Sequence, residues 1–271
     1  MTNYRFCALA VAVSATFLVG FSLPQKPNST AYSTASGPED EIVNEDVVLW
    51  NFRNPTFSID PEIPPAQAFQ LRQAASYVSS VTPFSLGEVP WGKGIIEIRK
   101  GTGTGCSATV GMIVEDYGSG VDYSGSMSFG SNCDTISAIH EFGHVIGLQH
   151  EHQRLNRDDH IKLNESAFLY IQKKYPQWYR GVVLNLRKIN TRYYRYVNYK
   201  LVPANLDDNL MFDKGSVMMY GSYPRNNIIL AGDLINHNLP LYRDNDGNLI
   251  QRPGQGFSQK DLDLIRRLYP D

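Results

Sequence analysis

The chain has 271 residues, 42% of them hydrophobic and 19% charged, with a formal net charge of -2. That is a globular composition, long enough for one large domain or two packed lobes. The near balance of charge excludes partners recruited by bulk electrostatics, such as nucleic acid or an anionic membrane surface, and no internal repeat or long low-complexity tract is present.

The N-terminus reads as a removable export signal. Arg5 precedes an apolar run from Phe6 to Phe21, interrupted only by Ser14, Thr16 and Gly20. The run falls short of the roughly 20 apolar residues a spanning helix needs, so residues 1–22 are expected to be a signal peptide, the alternative being an uncleaved anchor. Residues 23–45 are polar, rich in Pro and Ser, and end in Glu39-Asp40-Glu41. They are expected to form a linker or short pro-segment. The product would be secreted, or periplasmic in a bacterial source, with no stable membrane association after cleavage. Cys7 would leave with the signal, and Cys106 and Cys133 then form an even pair in an oxidising compartment. A disulfide between them would contribute about 2–4 kcal/mol; two buried thiols are the alternative.

Regular patterning starts near Val47, where Val48, Leu49 and Trp50 open a strand. Phe69, Leu71, Ala74, Ala75 and Val78 recur at near-helical spacing and predict a helix over 66–78. Ile96 and Ile98 alternate with Glu97 and Arg99, a half-buried strand. Ser107 to Val114 reads as another strand, and Ser126 to Phe129 as a short one. Asp134 or Thr135 then caps a helix carrying Ile136, Ile139, Phe142, Val145 and Ile146, which Gly147 terminates. Beyond Glu151 the pattern predicts few strands and many turns, and the Arg- and Tyr-rich stretch 179–200 reads as an exposed face, the alternative being a substrate-facing loop. A last helix begins at Ser258, with Asp261 three residues on as a capping-box signal.

The chemistry lies in the central helix. His140 and His144 are four residues apart, which places both imidazoles on one helical face. Two nitrogens can then reach one ion at about 2.0–2.1 Å. The third ligand must return from outside the helix. Gly147 supplies the bend, because glycine adopts positive φ without steric cost, and His150 follows. Three neutral imidazoles leave open positions for water and substrate, the catalytic arrangement of zinc. Glu141, beside His140, is placed to take a proton from the attacking water and pass it to the leaving nitrogen. An all-imidazole site with a Glu base favours one Zn2+ per chain. His152, His160 and His237 are expected to be structural or exposed.

The run His140-Glu141-Phe142-Gly143-His144-Val145-Ile146-Gly147-Leu148-Gln149-His150 has the long zinc signature of the metzincins. Its flank, Glu151-His152-Gln153-Arg154-Leu155-Asn156-Arg157-Asp158, resembles the astacin family. So does Gly215-Ser216-Val217-Met218-Met219-Tyr220-Gly221, which is similar to that family's Met-turn. The segments around Cys106 and Cys133, and the C-terminal Phe257-Ser258, Asp261 and Leu268-Tyr269, agree with it as well.

This resemblance implies roles. Tyr220 would be a fifth zinc ligand that swings away to donate a hydrogen bond to the oxyanion. Met218 would be a packing floor beneath the metal, and Glu151 would tie the mature N-terminus into the second lobe. The strand at 126–129 would be the edge that pairs with an extended protein or peptide substrate. The chain also departs from the family. No cysteines remain near Thr82-Pro83 and Pro270-Asp271 for a second disulfide, so the C-terminus is expected to fray. Met219 stands where His is common and Asn156 where Asp is common. The inhibitory Phe-x-Gly-Asp of many pro-segments is missing, its nearest look-alike being Phe57-Ser58-Ile59-Asp60.

The expected fold is α+β and metzincin-like. A twisted sheet and the zinc-binding helix form a first lobe (46–150), and a largely irregular second lobe (151–271) completes one catalytic domain. The expected function is secreted zinc endopeptidase. The alternatives are a secreted zinc-binding or adhesion module without turnover, and a metzincin of another subfamily.

Overall fold

In the computed structural model the described residues are 42–116, 121–196, 201–203, 212–225 and 227–270. The expected signal peptide, Cys7 and most of the expected linker lie outside them.

The first strand, β1 (Ile42–Leu49), begins inside the segment expected to be linker. It pairs in parallel with β9 (Lys188–Tyr196). Its first residues gain strand geometry from a partner far along the chain, which their own short mixed pattern, Ile42-Val43-Asn44-Glu45, does not reveal.

The main sheet contains β2 (Thr56–Ile59), β3 (Gly87–Glu88), β4 (Ile96–Lys100), β5 (Cys106–Ala108), β6 (Ile113–Asp116) and β7 (Val121–Phe129). Its order is β3-β2-β4-β7-β5, with β6 also on β7. The β2–β3, β2–β4 and β4–β7 joints are parallel, while β5 and β6 run antiparallel to β7. The expected single strand over 107–114 is therefore split. Gly111 sits at φ +68°, and its N–H turns away to donate to His144 O at 2.8 Å while Met112 N–H donates to Val48 O at 2.8 Å.

The expected edge at 126–129 is a correction. Ser126–Phe129 pair with Glu97–Lys100 on one side, and Met127–Phe129 pair with Cys106–Ala108 on the other. The chain returns from β5 through β6 to β7, so β5 ends outermost; a strand's neighbours are set by its connections and not by its own pattern.

One face of this sheet buries Phe57, Ile96, Ile98, Met127 and Phe129. Helix α1 (Pro65–Val81) covers it with Ala68, Leu71, Ala74, Ala75 and Val78, whereas Phe69 points to solvent. Helix α2 (Thr135–Val145) packs beside α1.

A second cluster is built from β8 (Ile161–Leu163), α3 (Glu165–Lys174), α4 (Pro176–Leu186), α5 (Ile228–Asn236) and β11 (Tyr242–Asp244). The short strand β10 (Leu201–Pro203) pairs with β9. This part holds more regular structure than its sequence pattern predicts: of the stretch 179–200, residues 179–186 lie in α4 and 188–196 in β9, and 197–200 lie outside the described residues.

The final helix α6 (Gln259–Leu268) returns to the first cluster, burying Leu264, Ile265 and Leu268 there. The chain end is held without a second disulfide, so the expected fraying is not met in these contacts. Tyr269 is buried, packs edge-on against Phe84 at 4.7 Å between ring centroids, and donates its hydroxyl to Ile146 O at 2.9 Å. Arg53 bonds the Pro270 carbonyl. No helix among the described residues is long and apolar enough to cross a membrane.

Candidate metal centre

Helix α2 starts where the sequence says it should. Asp134 is its N-cap, with Oδ1 accepting from Ser137 N–H at 2.7 Å and from Ser137 Oγ at 2.7 Å. Beyond Val145, Gly147 adopts φ +100°. The backbone requires glycine there, and a Cβ at Gly147 would in addition push on Leu49 Cδ2, 2.7 Å away. The turn closes with Gly147 N–H donating to His144 O at 2.8 Å and Leu148 N–H to Gly143 O at 2.9 Å. The reversal brings His150, at the mouth of a 3-10 turn over Glu151–Gln153, back under the helix.

The three predicted imidazoles converge. His150 Nε2 lies 3.1 Å from His140 Nε2 and 3.0 Å from His144 Nε2. Each ring offers its other nitrogen to a carbonyl oxygen: His140 Nδ1 to Val217 O at 2.7 Å, His144 Nδ1 to Leu148 O at 2.8 Å, and His150 Nδ1 to Gln153 Oε1 at 2.7 Å. A carbonyl can only accept, so each Nδ1 carries the proton and each Nε2 presents a bare lone pair. Burial keeps the rings neutral, holding His140 down at about 3 and His144 at about 4, with His150 well below its ordinary value. Three lone pairs at this spacing repel one another unless a cation lies between them. The donor set therefore fits a metal ion, and the oriented Nδ1 partners are those expected around a bound zinc.

Glu141 stands next to this cluster, 5% exposed, with Oε2 buried and without a hydrogen-bond partner. Burial pushes its carboxyl up to about 8. Tyr220 also faces the cluster, its ring centroid 4.5 Å from that of His150 and 5.7 Å from that of His140. Burial first, and then the Glu141 charge, push its phenol above the ordinary range, so it stays protonated. Its backbone is fixed by Tyr242, whose hydroxyl donates to Tyr220 O at 2.6 Å. His140, Glu141 and Tyr220 line one cavity of about 370 Å³, which continues to Val182, Leu186 and Ile250.

Met218 is buried against the helix: a Cβ on Gly143 would meet Met218 Sδ at 2.6 Å. Glu151 turns away from the cluster, accepting from Asp213 N–H at 3.0 Å and Arg154 Nη1 at 3.3 Å. Cys106 and Cys133 are disulfide-bonded, with Cα atoms 6.1 Å apart, joining β5 to the loop before α2. None of the other histidines enters the cluster. His152 is fully buried with Nε2 donating to Asn185 O at 2.9 Å, His160 stacks on Phe212, and His237 lies beside Asp233. Phe57-Ser58-Ile59 forms β2 inside the main sheet, Met219 fills the second cluster, and Asn156 accepts from Arg154 at 3.4 Å.

Sequence reasoning missed the groups that aim the imidazoles. Gln153 was legible, because it follows His150 by three residues, the spacing of one 3-10 turn. The carbonyls of Val217 and Leu148 were not, since any residue supplies a carbonyl. Also missed was Asp261 as a link to this site.

Comparison with known proteins gives the site a context. Residues 42–180, just over half of the chain, match Astacin (Peptidase family M12A). The chain is 30% identical over 131 residues to astacin-like metalloprotease toxin 2 of Loxosceles intermedia, an alignment covering 48% of this chain and 39% of that protein. It is 31% identical over 124 residues to zinc metalloproteinase nas-38 of Caenorhabditis elegans, covering 45% of this chain and 13% of that protein. The chain thus spans well under half the length of either relative. Among solved structures, high choriolytic enzyme 1, a hatching enzyme zinc-protease from Oryzias latipes (medaka), superimposes with a TM-score of 0.54 at 19% identity, over 80% of this chain and 88% of that one. Myroilysin gives a TM-score of 0.52 at 17% identity, over 80% and 93%. At such identities the structures speak for a shared metzincin-like fold, while the sequence match names the lineage. With the long histidine signature, its glycine bend and the Met-turn all inside this fold, the chain belongs to the astacin family.

Proposed function

We propose that this chain is a secreted zinc-dependent endopeptidase that uses Glu141 as its general base. The observation that carries the reading is the convergence of three bare Nε2 lone pairs beside a buried carboxylate oxygen with no partner. His140, His144 and His150 would hold one zinc ion. Bound there, zinc would supply Lewis acidity, polarising the scissile carbonyl and making an attacking water more acidic. Glu141, adjacent and desolvated, takes a proton from that water and delivers it to the leaving amine. A bound dication would favour its carboxylate form, and the buried, unpartnered Oε2 leaves an acceptor for that proton. Tyr220, held protonated, donates a hydrogen bond to the oxygen on which negative charge develops; at rest the same phenol would help the three histidines hold the ion.

An extended substrate is best received by β5, the outermost strand beside the site, through main-chain hydrogen bonds along Cys106–Ala108. The cavity past Tyr220, walled by Val182, Leu186 and Ile250, then takes one substrate side chain. Export is supported by the sequence of residues 1–22 and by the Cys106–Cys133 disulfide.

The test is digestion of casein by the processed protein, with and without a chelator, alongside Glu141→Ala. Cleavage that the chelator stops, and that Glu141→Ala lacks while still binding zinc, is the expected result. Zinc binding without any cleavage would instead mark a binding module.

A further inference from the structure

The start of α6 is wired into the metal centre. Ser258 and Asp261 form a capping box: Ser258 Oγ accepts from Asp261 N–H at 3.0 Å, and Asp261 Oδ2 accepts from Ser258 N–H at 2.9 Å. A capping box asks nothing more of its carboxylate. Here Asp261 is 5% exposed and takes two further donors from the Met-turn. Ser216 Oγ donates to Oδ1 at 2.6 Å, and Val217 N–H donates to Oδ2 at 3.2 Å. Ser216 Oγ in turn accepts from Met218 N–H at 2.9 Å. The carbonyl of the same Val217 is the acceptor for His140 Nδ1.

The other side of the capping box leads toward His150. Ser258 Oγ donates to Asp213 Oδ2 at 2.6 Å, and Asp213 N–H donates to Glu151, the residue after His150. Glu151 N–H closes the loop on Met218 O at 3.3 Å. The helix behind this network is anchored in the first cluster by Leu264, Ile265 and Leu268. Asp261 is therefore a fixed post, and the Val217 residue is held to it.

We infer that Asp261 is a positioning residue for the metal centre: by holding Val217 it sets the tautomer and the aim of His140. The inference rests on the zinc reading. Outer-shell partners of metal-bound histidines change metal affinity about 10–100-fold when removed, and Asp261 acts one peptide further out. It gives the last helix of the chain a function beyond packing.

The test uses the full-length mature protein loaded with cobalt(II), whose visible spectrum reports ligand geometry. Wild type is compared with Asp261→Asn, Ser216→Ala and Leu264→Ala at saturating metal, and metal retention is measured by chelator competition. Asn keeps one acceptor oxygen but turns the other into a donor facing N–H groups. The expected result is an altered cobalt spectrum and roughly tenfold or greater loss of metal retention in Asp261→Asn, with a smaller change in the same direction in Ser216→Ala. Leu264→Ala, which loosens the same helix from its core face, lowers the melting temperature but keeps the wild-type spectrum. If Asp261→Asn does not fold, Ser216→Ala alone decides. Wild-type spectrum and retention in the Asp261 and Ser216 variants would overturn the inference while leaving the zinc reading intact. A wild-type protein that binds no cobalt and no zinc would overturn both.

Discussion

At the scale of single residues, Glu141 carries a cost that the fold accepts. Its unfolded value is near 4.5, and burial raises it to about 8. A folded acid that keeps its proton longer than the unfolded chain does is favoured at low pH. Between pH 4.5 and 8 the unfolded chain releases this proton while the fold retains it, so stability falls across that window. Metal-free wild type is therefore expected to lose melting temperature relative to metal-free Glu141→Gln as pH rises from 4.5 to 8, the two coinciding near pH 4. A gap of the same size at pH 4 and pH 8 would contradict the assignment. Zinc binding opposes the penalty, because a dication favours the carboxylate. Tyr220 belongs to the same scale. Tyr220→Phe keeps the ring packed on His150 and His152 but removes the donor. Turnover should fall about 10²–10³-fold with little change in KM; steady-state kinetics on a fluorogenic peptide checks this, and an unchanged kcat removes Tyr220 from the mechanism.

At the scale of elements, α2 and the 3-10 turn behind it form one device. The helix supplies His140 and His144 one turn apart, Gly147 reverses the chain, and the turn at Glu151–Gln153 both presents His150 and supplies the Gln153 oxygen that fixes its tautomer. Gln153→Ala should weaken metal retention about 10–100-fold with a melting temperature of the metal-free protein close to wild type. Equal retention in a zinc-competition assay would show that His150 needs no partner. Most of this device was legible before any coordinates: the i, i+4 histidines, the Asp134 cap, the glycine stop and the Ser258–Asp261 box all depend on residues within a turn of one another. The edge strand was not. The resemblance made Ser126 to Phe129 the edge, yet the antiparallel return of Cys106–Ala108 placed it inside the sheet.

At the scale of the whole molecule, the chain end closes the first core. Phe84 and Tyr269 pack edge-on near where the family's second disulfide would link the same two segments, and the Tyr269 hydroxyl reaches the Ile146 carbonyl just past α2. An aromatic contact of this kind works by burial in the folded state, unlike a disulfide, which also restricts the unfolded chain. Phe84→Ala should cost about 3–5 kcal/mol, read as a lowered urea midpoint. A midpoint within error of wild type would mean that the terminus is dispensable.

The sequence by itself determined the chemistry: which residues could meet a metal, where their helix begins and ends, and which lineage the signature belongs to. Those properties are written in spacings of three, four and seven residues, and local geometry converts spacing directly into position. Only the tertiary structure decided what surrounds the site: the carbonyls of Val217 and Leu148 that aim His140 and His144, the pairing of β1 with β9, the identity of the outermost strand, and the return of α6 to the first core. Each of these joins segments distant in the chain, and several use backbone atoms that every residue possesses, so no residue pattern could have announced them.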